Sequence, residues 1–121
     1  MPSIDFTQSA VMQVTPKALD AASLRHLATM SNIANAGNAL YVAQRVQFED
    51  VLRSTLSQEG SAERVVGTAR LLPRLVPDRQ PIAIDQEVAA LARNTLHYQA
   101  LLKTLNAELD LLGLAANDGR R

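Results

Sequence analysis

The chain has 121 residues, enough for one domain with a modest core, and its twelve basic residues are balanced by twelve acidic ones. That balance argues against a general nucleic-acid or membrane-surface binder, and no apolar stretch is long enough to span a bilayer. The absence of cysteine excludes disulfide staples and thiolate metal sites without deciding the compartment.

The opening Met1-Pro2-Ser3-Ile4-Asp5 has no basic start followed by an apolar run, so no cleaved secretory signal is expected. Residues 1–14 show weak periodicity and read as a conditionally ordered N-terminus. Thr15-Pro16 then reads as a helix start, with Thr15 as the cap and proline in the first turn. A helix is expected over 15–36. Leu19, Ala22, His26, Met30 and Ile33 lie along one face, with Leu24, Leu27 and Ala34 beside it. Gly37-Asn38 should end it, with Gly37 in the left-handed conformation. Residues 37–57 are expected to hold a turn and a short helix, because Phe48, Val51, Leu52 and Leu56 repeat at helical spacing.

From 58 to 84 the pattern dissolves. Gly60, Gly67, Pro73, Pro77 and Pro81 argue for an extended or disordered connection, with Val65-Val66 and Leu71-Leu72 as the candidates for short strands. Arg64, Arg70, Arg74 and Arg79 cluster there against Glu63 and Asp78, and a solvated loop is the simplest reading of that cluster. Asp85 is a good N-cap, and Glu87 suits the positive end of a helix. A helix is expected over 85–114, followed by a loose tail at 115–121.

That last helix carries the strongest signal in the chain. Val88, Leu91, Thr95, Tyr98, Leu102, Leu105, Leu109 and Leu112 alternate at spacings of three and four, the rhythm of a coiled-coil seam. Ala89, Leu96, Ala100, Ala107, Leu111 and Leu114 make a second apolar flank. The natural partner for the seam is the stripe of the first helix that runs from Leu19 to Ile33, with Leu27 beside it. The expected fold is therefore all-α: N- and C-terminal helices packed as an antiparallel coiled-coil-like pair, a short middle helix and an extended connection. A chain this short has little else with which to cover both flanks, so the excess points to neighbouring subunits.

Catalytic signals are weak. His26 and His97 are the only histidines, and neither belongs to a metal-binding pair of the HExxH type. Asp85 and Glu87 read as helix-start carboxylates rather than an acid/base pair, and the five glycines form no phosphate loop. The chain is expected to be no enzyme, with no cofactor, metal or small-molecule substrate.

Ser31-Asn32-Ile33-Ala34-Asn35-Ala36 is physically odd, with two asparagines three apart at the end of a helix. The phrase resembles the signature of the flagellar axial proteins, the rod and hook subunits of the bacterial flagellum. Tyr41 falls where the family's tyrosine would, and Phe48 and Leu52 match its phenylalanine and following leucine. In the second half, Asp85, Glu87, Ala90-Leu91-Ala92, Asn94 and Leu96-His97-Tyr98-Gln99 resemble the proximal rod subunits of the FlgB type. The likeness covers about 24–52 and 84–112, and the short connection between them is also similar to the small proximal rod subunits. One departure is plain: Asn38-Ala39-Leu40 replaces the family's Thr-Pro-Gly, so the rigid proline turn is missing.

The resemblance implies a structural subunit of the proximal rod of the basal body. It would be exported by the flagellar type III system without a cleaved signal and would polymerise through its terminal helices. Its partners would be other rod subunits, basal-body proteins and the export apparatus, and its place the periplasmic rod. The alternative is a cytoplasmic helical adaptor or regulator that uses the same seam for a dimer.

Overall fold

A computed structural model describes residues 2–119, with side chains described from Met12 onward apart from Ser61. The order of elements is α1 (Pro2–Ala34), β1 (Ala43–Gln47), α2 (Glu49–Leu56), α3 (Ser61–Arg70), β2 (Arg74–Asp78) and α4 (Ile84–Asp118). The two long helices pack along each other. Their direction follows from three cross-links: Thr15 Oγ1 donates to Glu108 Oε1, Asn94 Nδ2 to the Ala22 carbonyl, and Asn32 Nδ2 to Glu87 Oε2. Ascending numbers on α1 meet descending numbers on α4, so the pair is antiparallel.

The fold is mostly helical, but it is not all-α. β1 and β2 form an antiparallel pair with Gln44 opposite Pro77 and Val46 opposite Leu75. The expected extended connection over 58–84 is likewise corrected, since it contains both α3 and β2. Gly60 adopts φ 93°, a conformation open to glycine, and α3 begins at the next residue. Glycine and proline there bound a ten-residue helix instead of forbidding one. Val65-Val66 is helical, and Leu71-Leu72 lies in the link before β2.

The ends of the long helices also differ from expectation. α1 does not start at Thr15-Pro16 but runs through it from Pro2. Pro16 faces solvent while Thr15 and Leu19 are buried, so packing on both sides of the proline carries the helix past its missing N–H. α4 starts at Ile84 with Ala83 as its cap position, and Asp85 sits inside the first turn, accepting from the Gln86 N–H. Helix continues to Asp118, through most of the expected tail. Met1, Arg120 and Arg121 lie outside the described residues.

Gly37 is not left-handed, because Gly60 is the single positive-φ residue among those described. Asn38 makes the turn instead. Its Oδ1 accepts from the Leu40 N–H and its carbonyl from the Tyr41 N–H. A side chain that mimics a backbone turn thus stands where the proline turn is absent.

The apolar core sits where α1 meets the middle of the chain. Ala21, Phe48 and Leu71 are buried together, with Ala18, Val46 and Leu52 against them. Lys17 anchors α3 to this layer: its Nζ donates to the carbonyls of Thr68, Ala69 and Leu71 at 2.7–2.8 Å. Carbonyls at a helix end carry partial negative charge, and one ammonium gathers three of them around the end of α3, the Thr68 carbonyl also accepting from the Leu71 N–H.

Candidate functional site

The phrase Ser31–Ala36 closes α1 and turns the chain back beside it. Asn32 is completely buried and faces β1. Its Oδ1 accepts from the Gln44 N–H at 2.9 Å, and its Nδ2 donates to the Gln44 carbonyl at 3.0 Å. Tyr41 Oη donates to the same Oδ1 and shares a 2.9 Å hydrogen bond with Ser31 Oγ. Asn35 donates twice to the Ser31 carbonyl, from its backbone N–H and from Nδ2, and so closes the last turn of the helix. Ile33 and Ala36 are half-buried, Ala34 is exposed, and Phe48 is buried in the core.

Because Gln44 spends its N–H on Asn32, it owes β2 no donor. The residue opposite is Pro77, which has no N–H to give. Such a position in an antiparallel ladder tolerates proline without losing a bond.

Glu87 extends the network. It is buried on α4, with Oε2 facing Asn32 Nδ2 at 3.4 Å and Oε1 paired to Arg45 Nη2 at 2.6 Å. Arg45 Nε reaches Asp78 Oδ2 at 3.0 Å, across its own strand pair. The hydrogen bond to Glu87, followed by that to Asp78, raises the Arg45 pKa against the opposing effect of burial. Asp78 is held below the usual carboxylate range, first by the Gln80 N–H and then by Arg45. One guanidinium therefore ties the start of α4 to both strands, and one amide ties the end of α1 to β1.

Along α4 the half-buried and buried positions are Ala90 and the row Glu87, Leu91, Asn94, Tyr98, Leu101, Leu105 and Glu108. The row also alternates at four and three, so it forms a heptad seam. It shares Leu91, Tyr98 and Leu105 with the expected seam and replaces its other row by residues one position earlier. Val88, Leu102, Leu109 and Leu112 are exposed, as are Leu96, Leu111 and Leu114 on the second flank. On α1, Leu19 is buried and Ile33 half-buried, but Leu27, Met30 and His26 are exposed. Among the described side chains of α1, those that are buried are Thr15, Leu19, Ala21, Ala22, Ala28, Thr29 and Asn32, a face dominated by small residues.

Sequence reasoning missed Gln44 and Arg45 and read Glu87 only as a helix-start carboxylate. One weak signal was available: Pro77 beside Leu75-Val76 fits an edge strand and no other kind. Among the described residues no group of three or more His, Asp or Glu is placed to hold a metal ion. No described helix is long and apolar enough to cross a membrane. What the arrangement offers is a rigid brace between two long helices and broad apolar surface on α4. In comparison with known proteins, the chain matches no family model, no curated protein and no solved structure.

Proposed function

We propose that the chain is a structural subunit of the proximal rod of a bacterial flagellar basal body, exported by the flagellar type III system and assembled through its two long helices. The observation that carries this reading is the convergence of Ser31, Asn32 and Tyr41 on one hydrogen-bonded amide. Ser31 and Asn32 belong to the phrase that resembles the axial-protein signature, Tyr41 falls where the family's tyrosine would, and here the three set how the chain leaves α1. The exposed leucines of α4 support the same reading, since a lone subunit leaves uncovered what an assembly would bury.

The experiment is a deletion in the source bacterium with purification of basal bodies. The expected result is loss of swimming, restored by the gene in trans, with the protein recovered in the rod fraction. A motile deletion strain, or basal bodies that lack the protein, would overturn the reading.

A further inference from the structure

We propose that Pro73 and Pro77 close the outer edge of β2, so that the small sheet cannot be extended by a strand of another polypeptide. The inference goes beyond the subunit reading and stands or falls apart from it.

Alternation decides which backbone groups face outward. The Gln44 N–H and carbonyl both point to Asn32, away from β2, so Gln44 and Pro77 form a non-hydrogen-bonded pair. The pairs on either side, Ala43 with Asp78 and Arg45 with Val76, therefore exchange the ladder bonds, as does Gln47 with Arg74. What β2 turns outward is the backbone of residues 75 and 77, with 73 next on the same alternation. Two of these three are proline. The edge keeps its carbonyls, but within β2 its single outward N–H is that of Leu75, which has no partner among the described residues.

The two edges of the sheet are shut by different means. On the β1 side α1 supplies side chains: Asn32 takes both backbone groups of Gln44, and Arg25 Nη2 reaches the Val46 carbonyl at 3.4 Å. β2 packs chiefly on β1, so its outer side has no such cover. An uncovered row of N–H and C=O groups is a template for another strand, and the exposed Leu72 and Leu75 would add apolar surface to that contact. Pro77 removes a donor at no cost to the ladder, since the N–H of that position would have pointed outward. Arg74 and Arg79 bracket the edge with exposed positive charge, a second deterrent that salt screens, whereas a missing donor is missing at any ionic strength.

The test returns the missing donors. Pro73→Ala combined with Pro77→Ala restores two N–H groups and adds no apolar bulk. Pro81→Ala, beyond the end of β2, makes the same change off the edge. The full-length purified proteins are incubated in low and in high salt, and new intermolecular β-structure is read by thioflavin T fluorescence. The expected result is a several-fold higher signal for the double variant, its helical circular dichroism retained, with wild type and Pro81→Ala at baseline in either salt. A double variant at the wild-type level, or a signal that rises only as helix is lost, would overturn the proposal. So would a Pro81→Ala protein that matches the double variant, or a wild type that reaches its level once salt screens the arginines. Amide hydrogen exchange on the wild type checks the geometry without any substitution. The Leu75 N–H should exchange as an open amide while those of Arg74 and Val76 are protected, and equal protection of Leu75 and Val76 would remove the open edge and the proposal with it.

Discussion

Asn32 meets Gln44 as a neighbouring strand would, accepting from its N–H and donating to its carbonyl with one side chain. The last turn of α1 thus closes the edge of β1 that β2 leaves open.

Replacing Asn32 with alanine strands the N–H and carbonyl of Gln44 and removes a neighbour of Glu87. The expected loss is about 3 kcal/mol, since each buried group left unsatisfied costs on the order of 1–3 kcal/mol. Asn32→Asp should cost at least as much, because it trades a donor for a second carboxylate beside Glu87. Urea unfolding checks both, and a change under about 0.5 kcal/mol, the usual range for surface substitutions, would refute the account.

The Arg45 clamp predicts an order between two substitutions. Arg45→Met leaves Glu87 buried with its charge unpaired, whereas Glu87→Gln leaves Arg45 half-exposed and still paired with Asp78. Removing the arginine should therefore cost more, about 3 kcal/mol against about 1 kcal/mol. Equal losses by urea unfolding would place the pair's energy elsewhere.

Asp78 supplies a pH dependence. Its folded-state pKa is lowered, so it binds its proton less readily in the fold than in the open chain. Its contribution is present above the unfolded value of about 3.9 and is lost as the pH falls through the lower folded value. Unfolding followed from neutral pH down to about pH 2 should lose stability in that acid window, and Asp78→Asn should flatten that part of the curve. A variant with the same acid profile as wild type would refute the assignment.

Gly67 is required by a close approach and not by its φ. A Cβ there would stand 2.6 Å from Thr55 Cγ2, and Thr55 is held in place by its hydroxyl bond to the Val51 carbonyl. Gly67→Ala should destabilise by about 1–2 kcal/mol, the cost of overpacking exceeding the helix propensity gained. In a Thr55→Ser background, which keeps the hydroxyl and deletes the methyl, the same change should stabilise. Thermal melts of the four-protein cycle decide it.

At the turn, Asn38→Ala should be more damaging than Gly37→Val. Asn38 closes the turn through its side chain, while Gly37 has an ordinary φ and open space where a Cβ would go. Stability of the two variants in solution checks the order, and a larger loss for Gly37→Val would reverse it.

Two long helices, a break near Gly37 and a mainly helical chain were all legible locally, because periodicity and helix-ending residues act over a few positions. The odd phrase at 31–36 was legible as a signal, but its partners were not. Asn32 reaches Gln44 twelve residues on and Glu87 fifty-five residues on, and nothing near it in the chain announces either. The sheet was missed for the same reason, since β1 is a strand only because β2, thirty-odd residues away, lies beside it.

The seam shows the division most clearly. Leucine spacing established by itself that α4 is a helix with a heptad rhythm. Two rows one residue apart share that rhythm, and hydrophobicity favoured Val88, Thr95, Leu102 and Leu109 over Glu87, Asn94, Leu101 and Glu108. Tertiary structure decided for the second row, because three of its four residues are polar groups whose partners stand opposite: Arg45 for Glu87, the Ala22 carbonyl for Asn94 and Thr15 for Glu108. A buried polar residue is tolerable when a distant residue satisfies it, and that condition is written in the fold and not in the neighbouring sequence.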